Sequence, residues 1–339
     1  METALAQWSS LRVLRTLCAA VLVAAAAIGC GMAASQSAFA QQQYPDRPIR
    51  FVVPYGAGGS ADITARIIVD QLSRVVEQPI VVENRPGIVV GTDHVAKATP
   101  DGYTLLAAPL AHSVNTSLYK RLPYDTFNDF ESIATFGLFN FVLVVNSKLP
   151  VKDLASFIGF LKASPNKFNY GSGGVGTTSH IGVELFKSLS DTQAVHVPYR
   201  GDGQAVVDLM AGQLTFMLCS TPTCVPYIRS GALRALAITS DRRFGPLPDV
   251  PTTAEAGLPA YKVLAYYAMV APKGTPSQIV RRMNAFVNKA LGDKTIQARL
   301  ADLGFEVNGK STPEDTTKLI RSEAERWAPI IKSAGATAD

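Results

Sequence analysis

The sequence lacks the residue patterns on which most enzymes rest. Histidine occurs only four times in 339 residues, at 94, 112, 180 and 196, and no His-Glu-x-x-His pair is spelled. No Gly-x-Ser-x-Gly elbow presents a serine nucleophile either. Charged residues are scarce at 17%, and the net charge of +5 is spread without a block of lysine and arginine. Such a distribution offers no track for a phosphate backbone, which argues against nucleic acid as a partner. Cysteines number four, without the spacing of a zinc site, and no metal or cofactor is expected. Long apolar runs are confined to the N-terminus. Elsewhere "SIATFGLFNFVLVV" comes closest, but Asn140 interrupts it, and its β-branched and aromatic content suits two buried strands.

What is present begins with a leader. Arg12 and Arg15 precede an uncharged, alanine-rich run from Thr16 to Ala34, and Ala38-Phe39-Ala40 makes a small-x-small cleavage signal before Gln41. Residues 1–40 are therefore expected to be a secretory signal peptide, which places the mature chain in the periplasm. The alternatives are an uncleaved anchor and lipid attachment at Cys30. Cys219 and Cys224 remain in the mature chain. An oxidising compartment admits them as a short-range disulfide or as two buried thiols.

From Ile49 onward, strand-like and helix-like segments alternate. Ile49–Val53 reads as a strand and Ala61–Val76 as a helix, with Ile63, Ile67, Ile68, Leu72 and Val75 on one face. About ten strands follow this pattern, which predicts an α/β fold with mostly parallel sheets. The length favours two domains. Two helices are expected to close the chain, one capped by Thr275 before Pro276 and one by Thr312 before Pro313.

Two glycine turns stand out. Gly56-Ala57-Gly58-Gly59-Ser60-Ala61-Asp62 follows a strand and opens a helix. Gly171-Ser172-Gly173-Gly174-Val175-Gly176 repeats the arrangement farther along the chain. Both fit the dinucleotide fingerprint, and Glu83 and Asp191 stand where its ribose-binding acid would be. An exported protein does not normally meet free NAD, so the dehydrogenase reading is the alternative here. The physics of the turns is broader than dinucleotides. Glycine lets a ligand approach the backbone, and a helix N-terminus carries free N–H groups and a positive partial charge. Any carboxylate or phosphate suits such a turn. Ser60, Thr177 and Thr178 add hydroxyl donors, and Asp62 is placed to cap its helix. His180, just after the second turn, and His112, at the end of strand "TLLAAP", are the histidines placed to line a cleft. His94 is expected to be solvated and His196 structural.

The order of these segments carries a resemblance. "YPDRPIRFVVPYGAGGSADITAR", "VVENRPG", "GTDHVAKATPDGYTLL", "NYGSGGVGTTSHIGVELFK", "HVPYRGDGQAVVDLMAGQL", "LPDVPTTAEAGLP" and "APKGTPSQIVRRMNA" follow one another along the chain. In that order the chain resembles the periplasmic solute-binding proteins of tripartite tricarboxylate transporters, the Bug family. The resemblance implies a type II periplasmic-binding fold, with two Rossmann-like lobes joined by crossing hinge strands that close like a flytrap. It implies lobe I at residues 41–143 plus 264–339 and lobe II at 144–263. It implies a monomer that is not an enzyme, uses no cofactor, and delivers a small carboxylate to integral membrane transporter subunits; a sensor role at a receptor kinase is the alternative.

The ligand contacts implied are Tyr55, Ala57, Gly58, Gly59, Ser60 and Asp62 from the first turn and its approach. From the second they are Ser172, Gly173, Gly174, Gly176, Thr177 and His180, with His112, Tyr199 and Asp202 beside them. Three departures bear on the ligand. "AAPLAH" brings apolar residues where the family has small or polar ones. Cys219 stands where the family often has Asp, and Asp202 where it more often has Gly. The first two point to an apolar or aromatic monocarboxylate rather than citrate or an acidic amino acid, and Asp202 pulls the other way if it faces the cleft.

Overall fold

The computed structural model describes residues 44–334 and 337–338. The expected leader and Cys30 lie outside these residues. The chain divides into two units. Of the first, residues 1–46, only Tyr44–Asp46 are described, and they hold no helix or strand.

In the second unit, the first half is built from β1 (Ile49–Val53), α1 (Ser60–Val76), β2 (Ile80–Asn84), α2 (Ile88–Ala96), β3 (Thr104–Pro109) and α3 (Leu110–Leu118). Strand β1 pairs in parallel with β2 and β3. Long strand β4 (Phe130–Asn146) leads into α4 (Leu154–Lys162), β5 (Asn169–Ser172), α5 (Thr178–Ser190), β6 (Val195–Pro198), α6 (Asp202–Ala211), β7 (Phe216–Ser220), α7 (Thr221–Arg229) and β8 (Leu233–Ile238). Here β5 lies parallel to β6 and β7. The chain returns through β9 (Leu264–Pro272), α8 (Ser277–Leu291), α9 (Lys294–Asp302), β10 (Phe305–Val307) and α10 (Pro313–Ala334). All ten strands join one mixed sheet in the order β2-β1-β3-β9-β4-β7-β5-β6, with β8 and β10 also on β4.

Amphipathicity explains how the helices seat. In α1, Ile68 and Leu72 are wholly buried, with Ala61, Ala65 and Val76 beside them at helical spacing. Each buried Ile or Leu contributes about 2 kcal/mol. The expected face is rotated slightly, because Ile63 and Val75 are only half-buried.

Strand β4 corrects the expectation of two strands. It runs 17 residues without a break and changes partners midway. Through Asn140 it pairs with β9, and from Phe141 it pairs with β7, while β8 joins from Val142. Asn140 does not break it because the residue sits half-buried at the changeover, where its carbonyl accepts a hydrogen bond from Thr221 Oγ1 at 3.0 Å. A polar side chain at the seam between two pairings costs little.

The end of the chain also differs. Thr275 does not cap α8; its hydroxyl donates to the Pro272 carbonyl at 2.7 Å, and the helix begins at Ser277. Thr312 does act as expected, because its Oγ1 accepts from Asp315 N–H while the Asp315 carboxylate accepts from Thr312 N–H, each at 3.0 Å. Between them stands α9, a third helix, whose cap Asp293 accepts from Thr295 N–H and Ile296 N–H. The letters Gly304 to Ser311 spell a phosphate-loop consensus, but Phe305–Val307 pair as β10 against β4 and leave no loop to cradle a phosphate. Cys219 and Cys224 form a disulfide between buried positions, with their Cα atoms 6.1 Å apart.

Candidate functional site

Four helices begin at one place. The first residues of α1 (Ser60), α3 (Leu110), α5 (Thr178) and α6 (Asp202) line a single cavity of about 30 Å³. Phe139 and Phe141 of β4 and Ala265 and Tyr267 of β9 form its apolar floor, and Tyr55, Gly173 and Ser179 complete the walls. Strand-to-helix turns at strand C-termini put the helix starts there. This is where open α/β sheets bind ligands.

Three of the four helices are uncapped. α1, α3 and α6 have Gly59, Pro109 and Gly201 at the cap position, without a side-chain bond to the free N–H groups. Thr177 caps α5 by accepting from His180 N–H. Each helix start carries roughly half a positive charge from aligned peptide dipoles. The described lining residues include no lysine, arginine or histidine, so the helix starts are the main positive element there.

The one carboxyl in the walls is Asp202. Its Oδ1 accepts from Ser179 Oγ at 2.8 Å, and that hydroxyl oxygen in turn accepts from Gly173 N–H at 3.1 Å. Burial pushes it up to about 6, against the opposing effect of those two donors. The Tyr267 hydroxyl lies 2.6 Å from Ser60 Oγ. Burial raises both Tyr55 and Tyr267, which stay neutral donors.

An acid whose folded value lies above its unfolded one holds more protons when folded. Its contribution to stability is therefore full at pH below about 4 and is lost as pH rises to about 6. Asp202→Asn keeps an acceptor for Ser179 and removes the buried charge. The variant is expected to melt higher than the parent at pH 7.5, by on the order of 2 kcal/mol, and equally at pH 4. Paired thermal melts at the two values check this.

The first turn is held from behind. Asp62 accepts from Gly58 N–H at 3.0 Å and from Asn84 Nδ2 at 3.1 Å, and pairs with Arg66 at 2.9 Å. Burial pushes its carboxyl up, but Arg66, Gly58 and Asn84 outweigh that and hold it low. The turn also touches the other half of the molecule. Gly56 N–H donates to the Arg200 carbonyl at 2.7 Å, and a Cβ on Gly203 would lie 3.0 Å from the Gly58 carbonyl carbon.

The second turn rests on a stacked ring layer. Ser172 Oγ lies 2.6 Å from His196 Nε2, His180 stacks on His196 at 4.2 Å, and Gly176 N–H donates to His180 Nδ1 at 3.3 Å. Burial lowers both histidines, His196 to about 4 with His180 adding to the effect.

The expected site residues therefore separate. Tyr55, Gly59, Ser60, Gly173, Thr177 and Asp202 come together in the cavity. Gly58, Asp62, Ser172, Gly176 and His180 shape the turns instead. Gly174 and Tyr199 line a neighbouring groove with Val90 and Val175, and the Tyr199 hydroxyl donates to Asp208 at 2.6 Å. Ala57 is at the surface.

His112 lies away from the cavity. It is fully buried against Tyr124 and Phe130, with ring centroids 6.1 and 4.9 Å away, and neither ring nitrogen has a partner among the described residues. Burial takes it down to about 4, so it is neutral. Pro109 and Leu110 at that strand end line the cavity, but the helix starts at Leu110, and two residues later the side chain belongs to the packing under α3. His112→Phe is expected to leave ligand affinity within about twofold by calorimetry, since it removes only unpaired polar atoms.

Sequence reasoning missed Leu110, Phe139, Phe141, Ser179, Ala265 and Tyr267. Ser179 follows the noted Thr177-Thr178 pair and was within reach. The strand residues carry no local signal, because only the pairing of β4 with β9 brings them under the helix starts.

A family model described as "Tripartite tricarboxylate transporter family receptor" matches residues 64–336. Protein BugT of Bordetella pertussis is 38% identical over 312 residues, covering 90% of this chain and 94% of BugT. Among solved structures, periplasmic binding protein BugD is 31% identical with a TM-score of 0.84, over 87% of this chain and 99% of that one. MatC from Rhodopseudomonas palustris, solved with bound malate, is 33% identical with a TM-score of 0.82, over 85% and 100% of the two chains. Rpa4515 from R. palustris, solved with adipate, is 32% identical with a TM-score of 0.83, over 87% and 99%.

Proposed function

The chain belongs to the tripartite tricarboxylate transporter receptor family, and from that premise we propose that it captures a small carboxylate between two lobes and hands it to integral membrane transporter subunits. The family is one of periplasmic solute-binding receptors, not of enzymes. The observation that carries the reading is the convergence of four helix N-termini, three of them uncapped, on one cavity. A carboxylate placed there accepts free N–H groups at the positive ends of the dipoles.

Closure follows from the size of the cavity. About 30 Å³ is room for little more than a water, so any organic acid enters only if the walls part. The lobes proposed are 41–143 plus 264–339 and 144–263. The change of partners along β4 between Asn140 and Phe141 supports a hinge close to that boundary. The bond from Gly56 to Arg200 is then a latch between the lobes. Ligand bridging both lobes shifts the population toward the closed state.

Malate and adipate in the relatives support a ligand of that size. The wall of Leu110, Phe139, Phe141 and Ala265 supports an apolar body, aromatic rings included, behind the carboxylate. Export through cleavage after Ala40 completes the proposal; among the described residues no helix is long and apolar enough to cross a membrane. A thermal-shift screen of mono-, di- and tricarboxylates, amino acids and aromatic acids tests it. Binding at a hundredfold excess over Kd stabilises by about 2.7 kcal/mol, a rise of several degrees. A flat response to every carboxylate would sink the reading.

A further inference from the structure

The charges around the cavity do not match a ligand made of carboxylates alone. Among the described residues its walls hold one carboxylic acid, Asp202, and no side-chain cation. Asp202 is not serving as a helix cap, because Gly201 holds that position without a side-chain bond. Its Oδ1 accepts from the Ser179 hydroxyl at the start of α5, whose oxygen accepts from Gly173 N–H of the second turn, and this relay fixes the carboxyl in place. At pH 7.5 it is ionised, since burial raises it only to about 6. The neutral hydroxyls of Tyr55 and Tyr267 share the same walls and supply no compensating charge.

Such a carboxylate disfavours a second, closely placed anion, because like charges in a desolvated site raise each other's free energy. It favours a ligand that brings its own cation. A zwitterion fits both features: its carboxylate meets the free N–H groups of the helix starts, and its ammonium meets Asp202. The apolar floor of Phe139 and Phe141 accepts the side chain.

We propose that Asp202 is a specificity-determining residue that pairs with the ammonium group of an amino-acid ligand. This rests on the reading of the cavity as the carboxylate site.

The test is calorimetry on the exported chain at pH 7.5 with matched pairs that differ only in the amine: aspartate and succinate, alanine and propionate, phenylalanine and 3-phenylpropionate. At least one amino acid is expected to bind roughly 100-fold more tightly than its amine-free partner, the scale of a buried charge pair. Asp202→Asn is expected to shrink that gap to tenfold or less while leaving the amine-free acid bound as well as before or better. The wild-type comparison stands even if the variant fails to fold, and a melt of the variant reports that separately. Amine-free acids binding as tightly as their amino partners, or a gap unchanged in a folded Asp202→Asn, would overturn the proposal and leave the carboxylate-capture reading intact. Silence toward both members of every pair, with tricarboxylates silent too, would overturn both.

Discussion

Gly56→Val is expected to weaken ligand binding by roughly 100-fold while changing the melting temperature of the unliganded protein little. A Cβ at Gly56 would sit 2.6 Å from the Arg200 carbonyl oxygen. The oxygen is backbone and the Cβ is fixed by the backbone that carries it, so neither yields unless the two segments part. The larger side chain also disturbs the 2.7 Å bond from Gly56 N–H to that oxygen. If the closed arrangement loses about 3 kcal/mol relative to the open one, the competent fraction falls about a hundredfold and the apparent Kd rises equally. The fold of each half is untouched, because the clash exists only between them.

Gly159→Ala is the control. It lies in α4, outside the cavity lining, and a Cβ there meets nothing within 4 Å, so affinity is expected to stay within about threefold. Calorimetry on the pair, with small-angle scattering to read opening, decides the matter. Equal affinity in Gly56→Val and the parent would mean that this closure is not the binding-competent state.

The largest expected loss of stability lies on β4. Gly137 has φ +156°, and a Cβ there would stand 2.1 Å from the Glu306 carbonyl oxygen and 2.6 Å from the Phe305 ring. It is also the point where β4 pairs with both Val307 of β10 and Tyr267 of β9. A side chain at this position must push β10 off the sheet. Gly137→Val is expected to cost on the order of 3 kcal/mol or more, from overpacking and an unfavourable backbone conformation together. That corresponds to a fall in melting temperature of roughly 5 °C. A fall of under 2 °C would show that β10 contributes little to the sheet. Because Tyr267 reaches the cavity from the paired strand, ligand affinity is expected to fall as well in whatever folded fraction remains.

The α/β class was legible because alternating apolar periods of two and 3.6 are local properties of the chain. The family was legible because its segments recur in a fixed order. The glycine turns were legible for a similar reason: a glycine-rich break between strand and helix leaves free N–H groups whatever surrounds it. Local letters misled where the outcome depended on a distant partner. Asn140 looked like the end of a strand, yet β4 passes through it because β9 lies on one side of the seam and β7 on the other. Thr275 looked like a cap, yet its hydroxyl found the Pro272 carbonyl.

The sequence by itself determined the α/β class and the two glycine turns, because those features follow from periodicity and backbone chemistry near each residue, and the order of its segments carried the family. Only the tertiary structure decided which atoms line the cavity. The sheet brings Phe139, Phe141, Ala265 and Tyr267 beneath four helix starts, buries His112 elsewhere, and turns Asp202 into the single charge in the walls. Those placements join residues up to about two hundred positions apart, where only pairing register and packing set the distance.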